Sequence, residues 1–172
     1  MLISMFAWVL RFALFSYGNP ADGLWMIIFS CIVYGMAFDF FNISGSLFIE
    51  TTTDSKIRSS AQGLFMMMTN GFGAVMGSIL SGLLIDEYFT LKFTTLDSLL
   101  SFLNTDKDNA AVQNLLFGNK VLANNVLENP VFIKEWSPIW LSFAIYALII
   151  AVAFAIFFRH KHNPAVVKNV VH

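Results

Sequence analysis

The stretch 24–49, LWMIIFSCIVYGMAFDFFNISGSLFI, contains a single charged residue, Asp39. Crossing the hydrocarbon core of a bilayer takes roughly 20 mostly apolar residues in a helix, so this run is long enough to span. An ionised carboxylate at the centre of such a helix costs roughly 3 kcal/mol or more on insertion scales, which marks Asp39 as neutralised or kept for function. At about 100° per residue, Tyr34, Phe38, Phe41 and Gly45 fall along one stripe of the helix. Gly35, Asp39, Asn42 and Ser46 form the adjoining stripe. An aromatic face beside a polar face suits a ligand with a flat apolar ring and several hydroxyls.

Outward from this run, three more segments read as spans: 2–17, 61–85 and 139–158. The first has Arg11 at its middle, followed by bulky Phe12, Leu14 and Phe15 rather than small residues, so it reads as a helix and not a cleaved signal. The chain of 172 residues is 57% hydrophobic and 12% charged, about half the charge of a soluble domain. The fold class expected is all-α integral membrane, with four transmembrane helices in region 1–158. Asp86 to Trp136 forms an external loop, and 159–172 a cytoplasmic tail. The basic residues Lys56, Arg58, Arg159, Lys161 and Lys168 flank the same side, while the turn 18–23 has none. Both termini are therefore placed in the cytoplasm.

The net charge of -1 offers no footprint for a nucleic-acid partner. One cysteine, Cys31, excludes an internal disulfide and is read as a buried, inert thiol. His160 and His162 read as solvated tail residues rather than metal ligands. No nucleophile–base pair, phosphate-cradling loop or metal-ligand cluster is present, which argues against an enzyme and against a bound cofactor. Gly73 with Gly77, and Ser78 with Gly82, have the spacing that lets helix backbones approach in lipid, and tight bundle packing is the reading preferred over dimerisation. In the loop, Leu96, Leu99, Leu100 and Leu103 share one face of a short amphipathic helix. Asp108 is placed as the cap of a second helix running to about Phe117 and ended by Gly118. Ala123-Asn124-Asn125 and Glu128-Asn129-Pro130 read as turns.

Arg11 lies about ten residues from the internal end of its helix and Asp39 about ten from the end of the next, roughly 15 Å deep in each case. Antiparallel packing then sets them level, and an interaction between them, direct or through water, is expected. It is either a structural ion pair or a charge pair whose protonation changes during transport.

Three runs carry a resemblance: Tyr34-Gly35-Met36-Ala37-Phe38-Asp39-Phe40-Phe41, Ile57-Arg58-Ser59-Ser60-Ala61-Gln62-Gly63-Leu64, and Met5-Phe6-Ala7-Trp8-Val9-Leu10-Arg11-Phe12. Together they resemble the tenth helix, the entry to the eleventh and the ninth helix of the nucleoside:proton symporter family of the major facilitator superfamily. The final helix is similar to the twelfth. The resemblance implies nucleoside uptake with protons by alternating access in the inner membrane, with the proton as coupling ion and no cofactor. It implies that Tyr34 and Phe38 contact the nucleoside, that Asp39 is the family's acidic residue, and that Arg58 is a cytoplasmic gate or structural residue. Asn42 joins the substrate-binding set from the helical stripe alone. The chain is expected to be a carboxy-terminal fragment, part of the second six-helix half, whose partners are the lipid bilayer and the missing amino-terminal helices. The competing reading is a small non-transporting four-helix membrane protein acting as a structural or partner-binding subunit.

Overall fold

A computed structural model describes residues 1–19 and 22–158. The predicted tail 159–172, with His160, His162 and three of the basic residues used for orientation, lies outside the described residues. So do Pro20 and Ala21 of the first turn. The helices are α1 (Leu2–Tyr17), α2 (Leu24–Thr52), α3 (Arg58–Met66), α4 (Ala74–Tyr88), α5 (Leu96–Leu103), α6 (Ala110–Leu115) and α7 (Trp136–Phe157). A π-helical segment, Met67–Gly73, joins α3 to α4 and makes one continuous run. Two strands, β1 (Thr90–Thr95) and β2 (Val126–Lys134), are present among the described residues. The chain is therefore mostly helical rather than all-α.

Among the described residues, three helical runs are long and apolar enough to cross a membrane: Leu24–Thr52, Arg58–Tyr88 and Trp136–Phe157. Four were expected. The difference is α1, whose 16 residues extend about 24 Å at 1.5 Å per residue, short of a hydrocarbon core of roughly 30 Å. The second helix runs a turn further than predicted. Thr51 and Thr52 return their hydroxyls to the carbonyls of Leu47 and Phe48 at 2.9 and 2.6 Å, which satisfies them without leaving the helix. The last begins a turn early because Pro138 falls in its first turn, where a missing N–H costs nothing.

The structure divides into two units, Met1–Gly82 with Trp136–His172 and Leu83–Glu135. In the first, α1 packs against both α2 and α7, and α2 packs against α3. Most of the residues buried in these helices are small: Ser4 and Ser16 on α1, Ser30, Ala37 and Gly45 on α2, Ala144 and Ala151 on α7, with Val33 and Ile139 the larger exceptions. Most of the large apolar residues of α2 face outward. In lipid there is no hydrophobic gain from hiding Leu or Ile between helices, so close backbone approach through small residues is what holds them. Ser30 to Ala37 and Ala144 to Ala151 are seven apart, the repeat that keeps one seam facing a neighbour over several turns. Ser16 donates to the Ser137 carbonyl at 2.9 Å and Trp136 Nε1 to the Phe15 carbonyl at 2.7 Å, pinning α1 to α7 at one end.

Two expectations change here. Cys31 is exposed, not buried. None of α4 is buried, and a Cβ at Gly77 or Gly82 would meet nothing within 4 Å, so the predicted tight packing of this small-residue face is not made with any described residue. The close approach is at Gly45 instead, where a Cβ would run into the Phe65 ring.

The second unit is built on β1 and β2, paired antiparallel with Phe93 opposite Val131 and Leu91 opposite Ile133. Phe93, Leu96, Leu99, Leu127 and Val131 form its core. The amphipathic helix read over Leu96–Leu103 is present as α5, with Thr95 as its N-cap. The second helix is capped by Asn109, not Asp108, because Asn109 Oδ1 accepts from the Ala111 N–H at 2.9 Å, and it stops at Leu115. Asn124 and Asn125 take positive φ, as a turn there requires. Glu128-Asn129-Pro130 is strand, not turn: Pro130 falls where the register between Phe93 and Thr95 is broken, and its missing N–H removes no ladder bond of the regular register.

Candidate functional site

Within the first unit, α1, α2, α7 and the π segment with the start of α4 line an open cavity of about 550 Å³. That size falls within the range of roughly 300–1,000 Å³ typical of small-molecule sites. Its aromatic wall comes from Trp8 and Phe12 on α1 and from Tyr34, Phe38 and Phe41 on α2. Its polar groups are Asn42, Thr69 and Asn70, with Tyr146 opposite on α7. The rings are fixed by one another. Tyr34 meets Trp8 edge-on at 5.3 Å and Phe38 at 6.0 Å, and Phe41 stacks on Phe65 at 6.1 Å.

Tyr34 and Phe38, named from the family resemblance, and Asn42, named from the helical stripe, are thus brought to one cavity. Asn42 donates its Nδ2 to the Phe38 carbonyl at 2.9 Å, while its Oδ1 is buried with no hydrogen-bond partner among the described residues. An amide held this way is left as an acceptor, suited to a hydroxyl donor.

Arg11 and Asp39 are not brought together as an ion pair. The Arg11 guanidinium lies over the Tyr34 ring, 4.0 Å from its centroid, and 5.0 Å from that of Trp8. Asp39 is exposed, does not line the cavity, and makes no ion pair or side-chain hydrogen bond among the described residues. The two side chains are not at equal depth but differ by more than a turn. With Trp8 and Arg11 both against Tyr34, Asp39 sits level with the region of residues 3–6, roughly 10 Å along the axis from Arg11. The extension of α2 to Thr52 accounts for part of that offset. Arg58 opens α3, half-buried and away from the cavity lining, with its Nε lacking a hydrogen-bond partner among the described residues.

Thr69 and Asn70 were missed by the sequence reading. Their signal was two adjacent polar residues amid Phe65 to Phe72 in an otherwise apolar span, but which face they occupy depends on the π segment.

Residues 1–163 match the family described as nucleoside H+ symporter. The chain belongs to this family. As a nucleoside H+ symporter family member it is 43% identical over 170 residues to the xanthosine permease of Escherichia coli (strain K12), covering 98% of this chain and 31% of that protein. It is 40% identical over 163 residues to the nucleoside permease NupG of the same organism, covering 94% and 29%. It superimposes on the crystal structure of nucleoside transporter NupG with a TM-score of 0.64 at 39% identity, over 93% of this chain and 30% of that one. The chain therefore spans under a third of the length of these relatives. Family and apolar helices together make it a multi-pass membrane protein.

Proposed function

We propose that this chain is the carboxy-terminal part of an inner-membrane transporter that carries nucleosides into the cell together with protons by alternating access. It would supply the ninth to twelfth helices of a major facilitator fold and work with amino-terminal helices of the same transporter. The observation that carries this reading is a cavity of about 550 Å³ with an aromatic wall and two amides, in a member of the nucleoside H+ symporter family. Tyr34 and Phe38 stack on the base, and Asn42 accepts a hydroxyl hydrogen of the sugar. Asp39 takes up and releases the coupling proton without Arg11 as a direct partner, and Arg11 steadies Tyr34 from behind. Arg58 acts at the cytoplasmic end as a gate or structural cation. Both termini are cytoplasmic and 86–136 connects helices on the outer side.

Radiolabelled uridine uptake into vesicles bearing the intact transporter tests this. Accumulation should rise several-fold when a pH gradient, acid outside, is imposed. Uptake indifferent to the gradient would remove proton coupling, and no uptake of any nucleoside would remove the substrate class.

A further inference from the structure

The span Arg58–Tyr88 leaves α geometry at Met67–Gly73. π turns close i→i+5 bonds and recur at functional positions inside α-helices. Gly73 permits this one, because a Cβ there would sit 2.7 Å from the Met68 carbonyl oxygen, five residues back. The segment carries Thr69 and Asn70, and both line the cavity. Thr69 donates its hydroxyl to the Phe65 carbonyl at 2.8 Å. Asn70 has one side-chain contact among the described residues, Nδ2 to the Met66 sulfur at 3.5 Å. A thioether is a weak acceptor, so the amide keeps nearly all its hydrogen-bonding capacity.

Its height is fixed by the packing below. Phe65 stacks on Phe41 and faces Gly45, and Gln62 donates to the Ser46 carbonyl at 3.2 Å. The two helices run antiparallel there, so Asn70, five residues beyond Phe65, comes level with Phe38. A base stacked on Phe38 or Tyr34 presents an edge where C=O and ring N–H lie side by side, and a side-chain amide offers the complementary pair. Asn42, left as an acceptor by its bond to Phe38, suits a sugar hydroxyl instead.

We infer that Asn70 is a specificity-determining residue that hydrogen-bonds the edge of the nucleobase, aimed into the cavity by the π turn that Gly73 allows. This rests on the nucleoside reading above.

The test is equilibrium binding of radiolabelled uridine to the purified intact transporter, with uridine, 2′-deoxyuridine and 3-methyluridine as competitors. Asn70→Ala should weaken uridine and 2′-deoxyuridine about tenfold, the scale of one lost hydrogen bond. For 3-methyluridine, whose N3–H is blocked, the change should stay within about twofold, as a double-mutant cycle requires of an interaction already absent. Ratios between competitors are taken within one variant, so a lower yield of folded protein cancels. Asn70→Ser should show the same pattern if the alanine variant fails to fold. An equal penalty on all three competitors, a penalty absent for 2′-deoxyuridine, or no penalty at all would overturn the assignment. An unsubstituted transporter that binds no nucleoside overturns the nucleoside reading and this inference with it. Uridine binding by the unsubstituted protein with unchanged ratios in the variants overturns the inference alone.

Discussion

Arg11 lays its guanidinium 4.0 Å over the face of Tyr34 and Asp39 stands apart from it. Two opposite charges on adjacent helices made an ion pair the natural expectation, and the sequence held the right residues. What it lacked was the register between α1 and α2, which a shift of one turn is enough to change. A cation over an aromatic face is worth about 0.5–2 kcal/mol. A double-mutant cycle on unfolding of the intact transporter should therefore give a coupling near 1 kcal/mol between Arg11 and Tyr34. Between Arg11 and Asp39 it should stay below about 0.5 kcal/mol. Strong coupling in the second cycle would restore the charge pair. Asp39→Asn is expected to abolish pH-driven accumulation while uridine binding falls less than about threefold, since the side chain is outside the cavity lining. A binding loss as large as the transport loss would instead make Asp39 a substrate contact.

At the scale of elements, the third span separates two kinds of glycine. At Gly73 a methyl group meets a backbone carbonyl that cannot swing away, whereas at Gly77 it meets nothing within 4 Å. Gly73→Ala should reduce transport at least tenfold by forcing the π turn toward α geometry and rotating Asn70. Gly77→Ala, on the same span, should leave the isolated chain's helix content and detergent melting temperature unchanged, as read by circular dichroism. Loss of helix content or a lowered melting temperature in Gly77→Ala would indicate that the small-residue face is itself a packed element. In the second unit, Leu99 is fully buried against the β1–β2 sheet. Leu99→Ala should destabilise that unit by about 2–5 kcal/mol, seen as faster proteolysis within Leu83–Glu135 and unchanged protection of α7. The α5 helix was legible because four leucines repeat at helical spacing. The sheet was not, since β1 and β2 lie some thirty residues apart and no turn signal links them.

For the whole molecule, the outward-facing large residues of α2, together with an α4 that buries nothing, describe a bundle whose surface is completed by lipid or other helices. Expressed alone, the chain should insert into membranes and fail to concentrate uridine. Co-expression with the part of the E. coli nucleoside permease that this chain does not cover should restore uptake if the surfaces are complementary, and uptake by the chain alone would contradict that dependence. Composition and apolar run length by themselves determined that this is a membrane protein and where its long helices lie, because the cost of placing polar groups in hydrocarbon acts locally along the chain. The motif runs around Asp39 and Arg58 carried the family. Helical periodicity grouped Tyr34 with Phe38 and set Asn42 on the adjoining stripe. Tertiary structure alone decided that Arg11 meets Tyr34, that Asn70 shares their cavity, and that Gly45 rather than Gly77 is a point of close approach. Each of those depends on the axial offset between helices, and the apolar faces of neighbouring helices in lipid leave that offset to small residues and side-chain fit.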